Sequence, residues 1–181
     1  MDPLKLIDKY YTKGSQARHL LIEHSKMVTQ KALELAKQVE HLKPDTAFIE
    51  KAAMLHDIGI MFTNASEIGC YGKKPYICHG YLGRQLLEKE GLPEYALVCE
   101  RHVGTGITIE DIVSQQLPVP KRDMVPISLE EQIICFADKF FSKEPDSLYE
   151  TKPFKKIKSE ISKFGKNKAA IIEQWREFFR N

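Results

Sequence analysis

Apolar residues recur at intervals of three and four over much of this chain, a spacing that places them on one face of an α-helix. The longest such segment covers residues 16–40, and its stripe consists of Ala17, Leu20, Leu21, Met27, Val28, Ala32, Leu35, Ala36 and Val39. No segment shows the alternation of apolar and polar residues that predicts a half-buried strand. The pattern therefore predicts an all-α fold built from several helices.

Boundary signals divide the chain into helical segments. They predict helices at residues 3–11, 16–40, 45–55 and 76–90. A short helix that carries Leu97, Val98 and His102 follows, then a short one within 107–126, one opened by Ser128, and two in 151–181 separated near Gly165. Ser128 with Glu131 three residues later is a capping-box signature. Gly59 is predicted to end the third helix in a left-handed conformation. Residues 60–77 form a longer connection, of a length that is often functional.

Length and composition indicate an ordinary globular domain. The chain has 181 residues, 43% hydrophobic and 29% charged, which favours one domain with a real core. A net charge of +2 gives no field that would attract nucleic acid, so no such partner is expected. No apolar run approaches the roughly 20 residues that span a bilayer, and no signal peptide is recognisable at the N-terminus. We expect no membrane association and a cytoplasmic location.

Neither the four cysteines nor the lysine-rich tail predicts a functional site. No two of Cys70, Cys78, Cys99 and Cys135 have Cys-x-x-Cys spacing, which argues against a structural zinc site. Cys99 and Cys135 are predicted to be buried thiols, and a Cys70–Cys78 disulfide is disfavoured in a reducing compartment. Residues 152–168 contain seven lysines and one glutamate, which predicts a solvated helix face, with a phosphate-rich partner as the alternative. The predicted packing stripe of the last helix is Ile172, Trp175, Phe178 and Phe179.

Six polar residues interrupt the apolar helix faces: His24, His56, Asp57, His79, His102 and Asp138. His24, for example, lies four residues from both Leu20 and Val28, and a polar side chain on a buried face needs a partner. A single histidine of this kind is usually a satisfied core residue, and a single His-Asp pair could be a core histidine beside a capping aspartate. Four imidazoles and two carboxylates from several helices instead suit a divalent transition metal bound inside a helical bundle.

These residues, in this order, resemble the HD-domain superfamily of metal-dependent phosphohydrolases, in its HDIG-type branch. The matching segments are His24-Ser25, Leu55-His56-Asp57-Ile58-Gly59, His79-Gly80, Arg101-His102 and Ala137-Asp138. The resemblance covers about residues 15–142. It implies a compact, all-helical HD-type fold with a central metal site. Residues 1–181 would then form a single domain, with helices in about 151–181 packed on this core.

The resemblance also implies a ligand set and a reaction. His24, His56, Asp57 and Asp138 would hold one ion, His79 and His102 a second, and Asp57 would bridge the two. The nitrogen-rich donors suit two divalent ions such as iron or manganese better than magnesium. Such a pair can bridge a water, lower its pKa and direct the resulting hydroxide at phosphorus. The implied partner is a small-molecule phosphate ester, such as a nucleotide.

Five basic residues are candidates for phosphate contact. Arg101 and Lys139, each beside a candidate ligand, are predicted to act with Asp57 in catalysis. Arg18, Lys73 and Lys74 are predicted to bind substrate, although each of the five could equally be a surface charge. Ile60 follows Gly59, where many HDIG proteins have a lysine, and the Gly-Tyr-Pro signature of cyclic-dinucleotide phosphodiesterases is missing. Both departures disfavour cyclic-dinucleotide hydrolysis.

Two other functions fit the same residues. One is a di-iron oxygenase resembling inositol oxygenase, which belongs to the same superfamily and uses the same six ligand types. The other is a non-catalytic module that binds a nucleotide or a partner protein around a structural metal. Phosphate release without oxygen, oxygen uptake that requires iron, or insensitivity to loss of His79 and His102 would separate the three. The sequence assigns no oligomeric state.

Overall fold

A computed structural model describes residues 1–180 and confirms the all-α prediction. Within those residues the α-helices are α1 (Pro3–Tyr10), α2 (Gln16–Gln38), α3 (Thr46–Leu55), α4 (His79–Lys89), α5 (Pro93–Arg101), α6 (Ile109–Ser114), α7 (Leu129–Asp138), α8 (Phe154–Ser162) and α9 (Lys166–Phe178). Two strands, β1 (Asn64–Ala65) and β2 (Cys70–Tyr71), pair antiparallel. Strands of two residues are too short for their alternation to be recognised in the sequence. Within the described residues, no helix is long and apolar enough to cross a membrane.

Two clusters of buried apolar side chains make up most of the core. The first joins the second half of α2 to α3, α7, α8 and α9. The second joins α1 and the first half of α2 to the end of α3, α4 and α5. Along α2 the contacts change from the second cluster to the first between Ile22 and Val28. Along α3 they change from the first cluster to the second between Ala53 and Leu55. His24 and His56 therefore lie where the two clusters meet.

Gly59 has a different role from the predicted one. Helix α3 ends at Leu55, and Gly59 lies inside a 3-10 turn, Ile58–Phe62, without a positive φ angle. A Cβ atom on Gly59 would lie 2.1 Å from the carbonyl oxygen of His79 and 2.4 Å from the backbone nitrogen of Gly83. Glycine is needed there because the turn after the His-Asp pair packs directly against the α4 backbone.

Two predicted details at helix starts are also corrected. Helix α4 begins at His79, because Tyr76–Cys78 form a 3-10 turn before it. At the start of α7, the Ser128 hydroxyl accepts from the Glu131 backbone N–H at 3.1 Å, as a capping box requires. The Glu131 carboxylate does not return to Ser128, however. It accepts from the backbone N–H of Ile127 at 2.6 Å and from Arg101 at 2.8 Å, so the box is only half formed.

The two C-terminal helices pack on the first apolar cluster through Ile172, Trp175 and Phe179. Phe178 was wrongly assigned to this stripe, because its side chain is 43% exposed. Most of the tail lysines are exposed, as predicted, but Lys168 is buried and its ammonium lies 2.5 Å from Asp111 and 2.8 Å from the carbonyl of Gly106. All four cysteines are free and buried.

Candidate metal centre

The six polar residues that interrupt the apolar faces meet at one place. They form two groups, His24, His56, Asp57 and Asp138 in one and Asp57, His79 and His102 in the other, and the donor atoms within each group all lie within 4.8 Å of one another. Every one of the six is buried, with at most 8% of its surface exposed. Imidazole and carboxylate groups that converge in this way are suitable ligands for a transition-metal ion.

Helix ends position most of these side chains. His56 and Asp57 follow the last residue of α3, His79 is the first residue of α4, and His102 follows the last residue of α5. Asp138 is the last residue of α7, whereas His24 lies within α2. Because adjacent helical residues point about 100° apart, a helix end is where His56 and Asp57 can converge on one point.

Asp57 joins the two groups through its two oxygen atoms. Its Oδ2 atom lies 2.9 Å from His56 Nε2 and 3.3 Å from His24 Nε2. Its Oδ1 atom lies 3.3 Å from both His79 Nε2 and His102 Nε2. One carboxylate therefore presents one oxygen to each group, which is the arrangement of a bridging ligand.

Backbone carbonyls orient three of the four imidazoles. The Nδ1 atoms of His56, His79 and His102 lie 2.6, 2.7 and 2.7 Å from the carbonyl oxygens of Ala53, Tyr76 and Cys99, each three residues earlier. A carbonyl can only accept, so each Nδ1 carries the proton, and the Nε2 atoms of His79 and His102 present lone pairs to the centre. Burial acts to lower the pKa of His56, but Asp57 and Asp138 outweigh it and raise that pKa to about 9, so the Nε2 of His56 must lose its proton when a metal ion binds. His24 differs, since its Nε2 faces Asp138 at 3.0 Å and its buried Nδ1 has no hydrogen-bond partner in residues 1–180.

The donor set fits a divalent cation. Asp57 Oδ1 is buried without a hydrogen-bond partner among the described residues, because the two Nε2 atoms that it faces at 3.3 Å carry no proton. Buried polar atoms of this kind are costly unless something binds them. The Nε2 atoms of His79 and His102 lie 3.1 Å apart, so two lone pairs face each other when both Nδ1 atoms carry the protons. A cation between those atoms would turn the repulsion into coordination.

The local charges set the protonation of the centre. Burial opposes ionisation of Asp57, but the charges of His56 and Lys143 outweigh it and hold the carboxyl pKa well below its usual range. Burial lowers the pKa of His79 to about 3, although Asp57 acts in the opposite direction. Burial also lowers the pKa of His102. The carboxylate is thus ionised and these two imidazoles are neutral, which are the states that bind metal.

Lys143 contacts the centre and was not predicted. Its ammonium lies 2.6 Å from Asp57 Oδ2 and 4.0 Å from Asp138 Oδ1. The residue follows the end of α7 in an irregular segment, so no helical spacing identified it. The only feature of the sequence that could have indicated its place near the donor groups is its position five residues after Asp138. Tyr76 was also missed, and its ring lies over the His79 ring with 4.7 Å between centroids.

Among the predicted basic residues, the structure brings only Lys139 to the donors. Its ammonium lies 2.6 Å from Asp138 Oδ2 and donates to the carbonyl of His102 at 2.9 Å. Arg101 pairs instead with Glu131 at 2.8 Å, and Arg18 pairs with Asp8 at 2.6 Å. Lys73 and Lys74 are exposed on the connection before α4. Substrate contacts by these four residues stay predictions, and their positions give them no added support.

The fold and the paired donor groups define a helical domain with a histidine–aspartate centre of the HD type. Residues 21–142 match the HD domain family, to which the chain belongs.

Three curated proteins are similar to this chain over part of their length. An uncharacterized protein of Methanocaldococcus jannaschii is 35% identical over 121 residues, which are 65% of this chain and 64% of that protein. Two tRNA (cytidine(56)-2'-O)-methyltransferases, from Picrophilus torridus and Thermoplasma volcanium, are each 31% identical over 72% and 75% of this chain. The matched segments make up only 34% and 35% of those two proteins. No solved structure matches the chain.

Proposed function

We propose that this chain is a metal-dependent phosphohydrolase that cleaves a nucleotide or another small phosphate ester. The observation that carries the proposal is the Asp57 carboxylate, which presents one oxygen to each of two adjacent donor groups. Membership of the HD domain family supports the same reaction class.

The two donor groups would each hold one divalent ion. His24, His56, Asp57 and Asp138 would hold the first, and His79, His102 and Asp57 the second. Iron and manganese suit this mixture of nitrogen and oxygen donors. When bound, the two ions supply a water of lowered pKa and positive charge opposite the phosphate oxygens.

The remaining residues orient the centre and admit the substrate. The carbonyls of Ala53, Tyr76 and Cys99 fix the rings of His56, His79 and His102, while Lys139 holds the Asp138 carboxylate against the carbonyl of His102. A pocket of about 270 Å³ lies at the surface where Tyr76 and Lys143 approach the donors. We propose that the phosphate group enters there.

The cysteines do not offer a nucleophile that would replace the water. Burial raises the pKa of the Cys135 thiol to about 12 and that of Cys70 to about 11. Burial likewise raises the pKa of Cys78 and Cys99. Since the thiolate is the reactive form, these thiols are poor nucleophiles near neutral pH.

Methyl transfer is not proposed for this chain. In the two relatives named as tRNA methyltransferases, about two thirds of each protein lies outside the matched segment. The activity in the name belongs to the whole protein, and the six donor residues offer no chemistry specific to methyl transfer.

The test starts from protein stripped with a chelator and reloaded with Mn²⁺ or Fe²⁺ without oxygen. Phosphate release is then measured from p-nitrophenyl phosphate and a panel of nucleoside monophosphates. We expect release that requires the metal, persists without oxygen and is lost in Asp57→Asn, but survives in His41→Ala, which changes an exposed histidine. Oxygen uptake that requires iron, with no phosphate release, would instead assign the oxygenase alternative.

A further inference from the structure

Lys143 reaches the donor groups from the pocket at the surface. The pocket of about 270 Å³ is lined by Tyr76, Lys143, Lys152 and the acidic residues Glu67 and Glu144, among others. The Lys143 side chain passes from this pocket to the centre, is only 14% exposed, and ends 2.6 Å from Asp57 Oδ2. It is therefore a side chain that both the pocket and the donors share.

The position of the Lys143 ammonium conflicts with cation binding at the donor group formed by His24, His56, Asp57 and Asp138, here called the first donor group. Asp57 Oδ2 is the oxygen that this group uses, at 2.9 Å from His56 Nε2 and 3.3 Å from His24 Nε2. An ammonium and a divalent ion would compete for the same lone pairs and would also repel each other. Binding of a divalent ion therefore favours departure of the ammonium from Asp57 Oδ2.

The chain around Lys143 allows that movement. Between α7 and α8 the described backbone holds only a 3-10 turn, Pro145–Ser147, and the rest is irregular. A lysine side chain is a flexible four-carbon stem, so its ammonium can rotate outward into the pocket that it lines. Lys139 lacks this freedom, because its ammonium also donates to the His102 carbonyl.

We propose that Lys143 is an exchangeable cation: it neutralises Asp57 until the first metal ion binds, and then binds a phosphate oxygen of the substrate in the pocket. This inference rests on the proposed phosphohydrolase function and adds to it a residue that contacts the substrate. In the pocket the Lys143 ammonium would donate a charge-assisted hydrogen bond to a phosphate oxygen.

The test compares Lys143→Met with wild type in two binding measurements. Mn²⁺ is titrated into the chelator-treated protein by calorimetry, and inorganic phosphate is then titrated into the Mn²⁺-loaded protein. Lys168→Met is the matched control, because Lys168 is also a buried lysine paired with a carboxylate, Asp111, but contacts none of the six donors. Lys168→Met shows how far the loss of any buried ion pair changes the affinities for Mn²⁺ and phosphate.

We expect Lys143→Met to bind Mn²⁺ at least about 5-fold more tightly, since the competing charge is removed. We expect its affinity for phosphate to fall about 10- to 100-fold, the usual effect of losing a hydrogen bond to a charged group. Lys168→Met should change neither affinity. Unchanged or weaker Mn²⁺ binding in Lys143→Met would overturn the exchange. Unchanged phosphate binding would overturn the substrate contact and leave Lys143 a counter-ion only.

Failure of the proposed function has a different signature. Wild-type protein that takes up no Mn²⁺, Fe²⁺ or other divalent ion would overturn the hydrolase proposal and this inference together. Wild-type protein that binds metal and releases phosphate, but is matched by Lys143→Met in both titrations, would overturn only the inference.

Discussion

The Nε2 atoms of His79 and His102 lie 3.1 Å apart, and each ring is fixed by a backbone carbonyl at its Nδ1 atom. The two carbonyls set the proton on Nδ1 in both rings, so the facing nitrogens cannot hydrogen-bond to each other while both imidazoles are neutral. Together with Asp57 Oδ1, at 3.3 Å from each, they form a three-donor set suited to a cation.

Loss of His79 should therefore remove one metal ion. We expect protein purified without added metal to contain about two iron or manganese ions per chain, as a two-metal site requires. His79→Ala should contain about one, because the other group, built on His24, His56, Asp57 and Asp138, stays complete. Elemental analysis of the purified proteins measures this directly. One ion or none in wild type, unchanged in the variant, would mean that His79 and His102 are not ligands.

Lys139 is expected to position Asp138 rather than to contact the substrate. Its ammonium is held by Asp138 Oδ2 and by the carbonyl of His102. Replacing a residue that orients a metal ligand typically costs 10- to 100-fold in metal affinity or activity. We expect Lys139→Met to weaken Mn²⁺ binding about 10-fold and to recover much of its kcat at saturating Mn²⁺, with KM unchanged.

The measurement for Lys139 is phosphate release at increasing Mn²⁺ concentration, with Lys139→Arg as a conservative variant that should retain part of the affinity. A raised KM that persists at saturating Mn²⁺ would indicate direct contact with the substrate, which is what the position of Lys139 beside Asp138 in the sequence predicts.

The sequence predicted the meeting of the six polar residues because each stands out against its own surroundings. His24, for example, lies within an apolar stripe of correct helical spacing, and the energetic cost of burying an imidazole there points to a partner. Helix order then suffices to bring such residues into one core. The resemblance to the HD superfamily added the division of the six into two groups.

Residues outside the helical pattern could not be predicted in this way. Lys143 follows the end of α7, and its side-chain direction depends on the path of an irregular segment. Glu131 fitted a capping box, but the stronger charge-assisted contact to Arg101 draws its carboxylate away. Gly59 carried a local helix-stop signal, whereas its actual constraint is the backbone of α4, a contact distant in sequence.

The close approach of Gly59 to α4 makes a stability prediction. A methyl group on Gly59 would overlap the carbonyl of His79 and the backbone of Gly83, neither of which can yield as a flexible side chain would. Overpacking of this kind costs about 1–3 kcal/mol and sometimes more. We expect Gly59→Ala to lower the free energy of unfolding by at least that amount, measured by urea denaturation.

The control for Gly59→Ala is Ser159→Ala, which changes an exposed position on α8 and should have little effect. Because His79 is the residue that Gly59 contacts, the variant should also bind metal less tightly. A variant as stable as wild type would mean that the turn and α4 can separate without cost.

The ion pair between Asp111 and Lys168 predicts how stability depends on pH. It joins α6 to α9, with 2.5 Å between the ammonium and Asp111 Oδ2. Burial acts to raise the pKa of Asp111, but hydrogen bonds from Lys168 and Thr108 outweigh it and lower the pKa below its ordinary value. A carboxyl with a lowered pKa stabilises the fold above its unfolded pKa of about 3.9, and that contribution is lost as pH falls. We expect the melting temperature of Asp111→Asn to lie below that of wild type at pH 7, and the difference to shrink as the pH approaches 3.

Thermal unfolding of chelator-treated protein from pH 7 to pH 3 measures this difference, with Asp146→Asn, at an exposed position, as the control. A difference that stayed constant with pH would show that Asp111 contributes through packing and not through its charge.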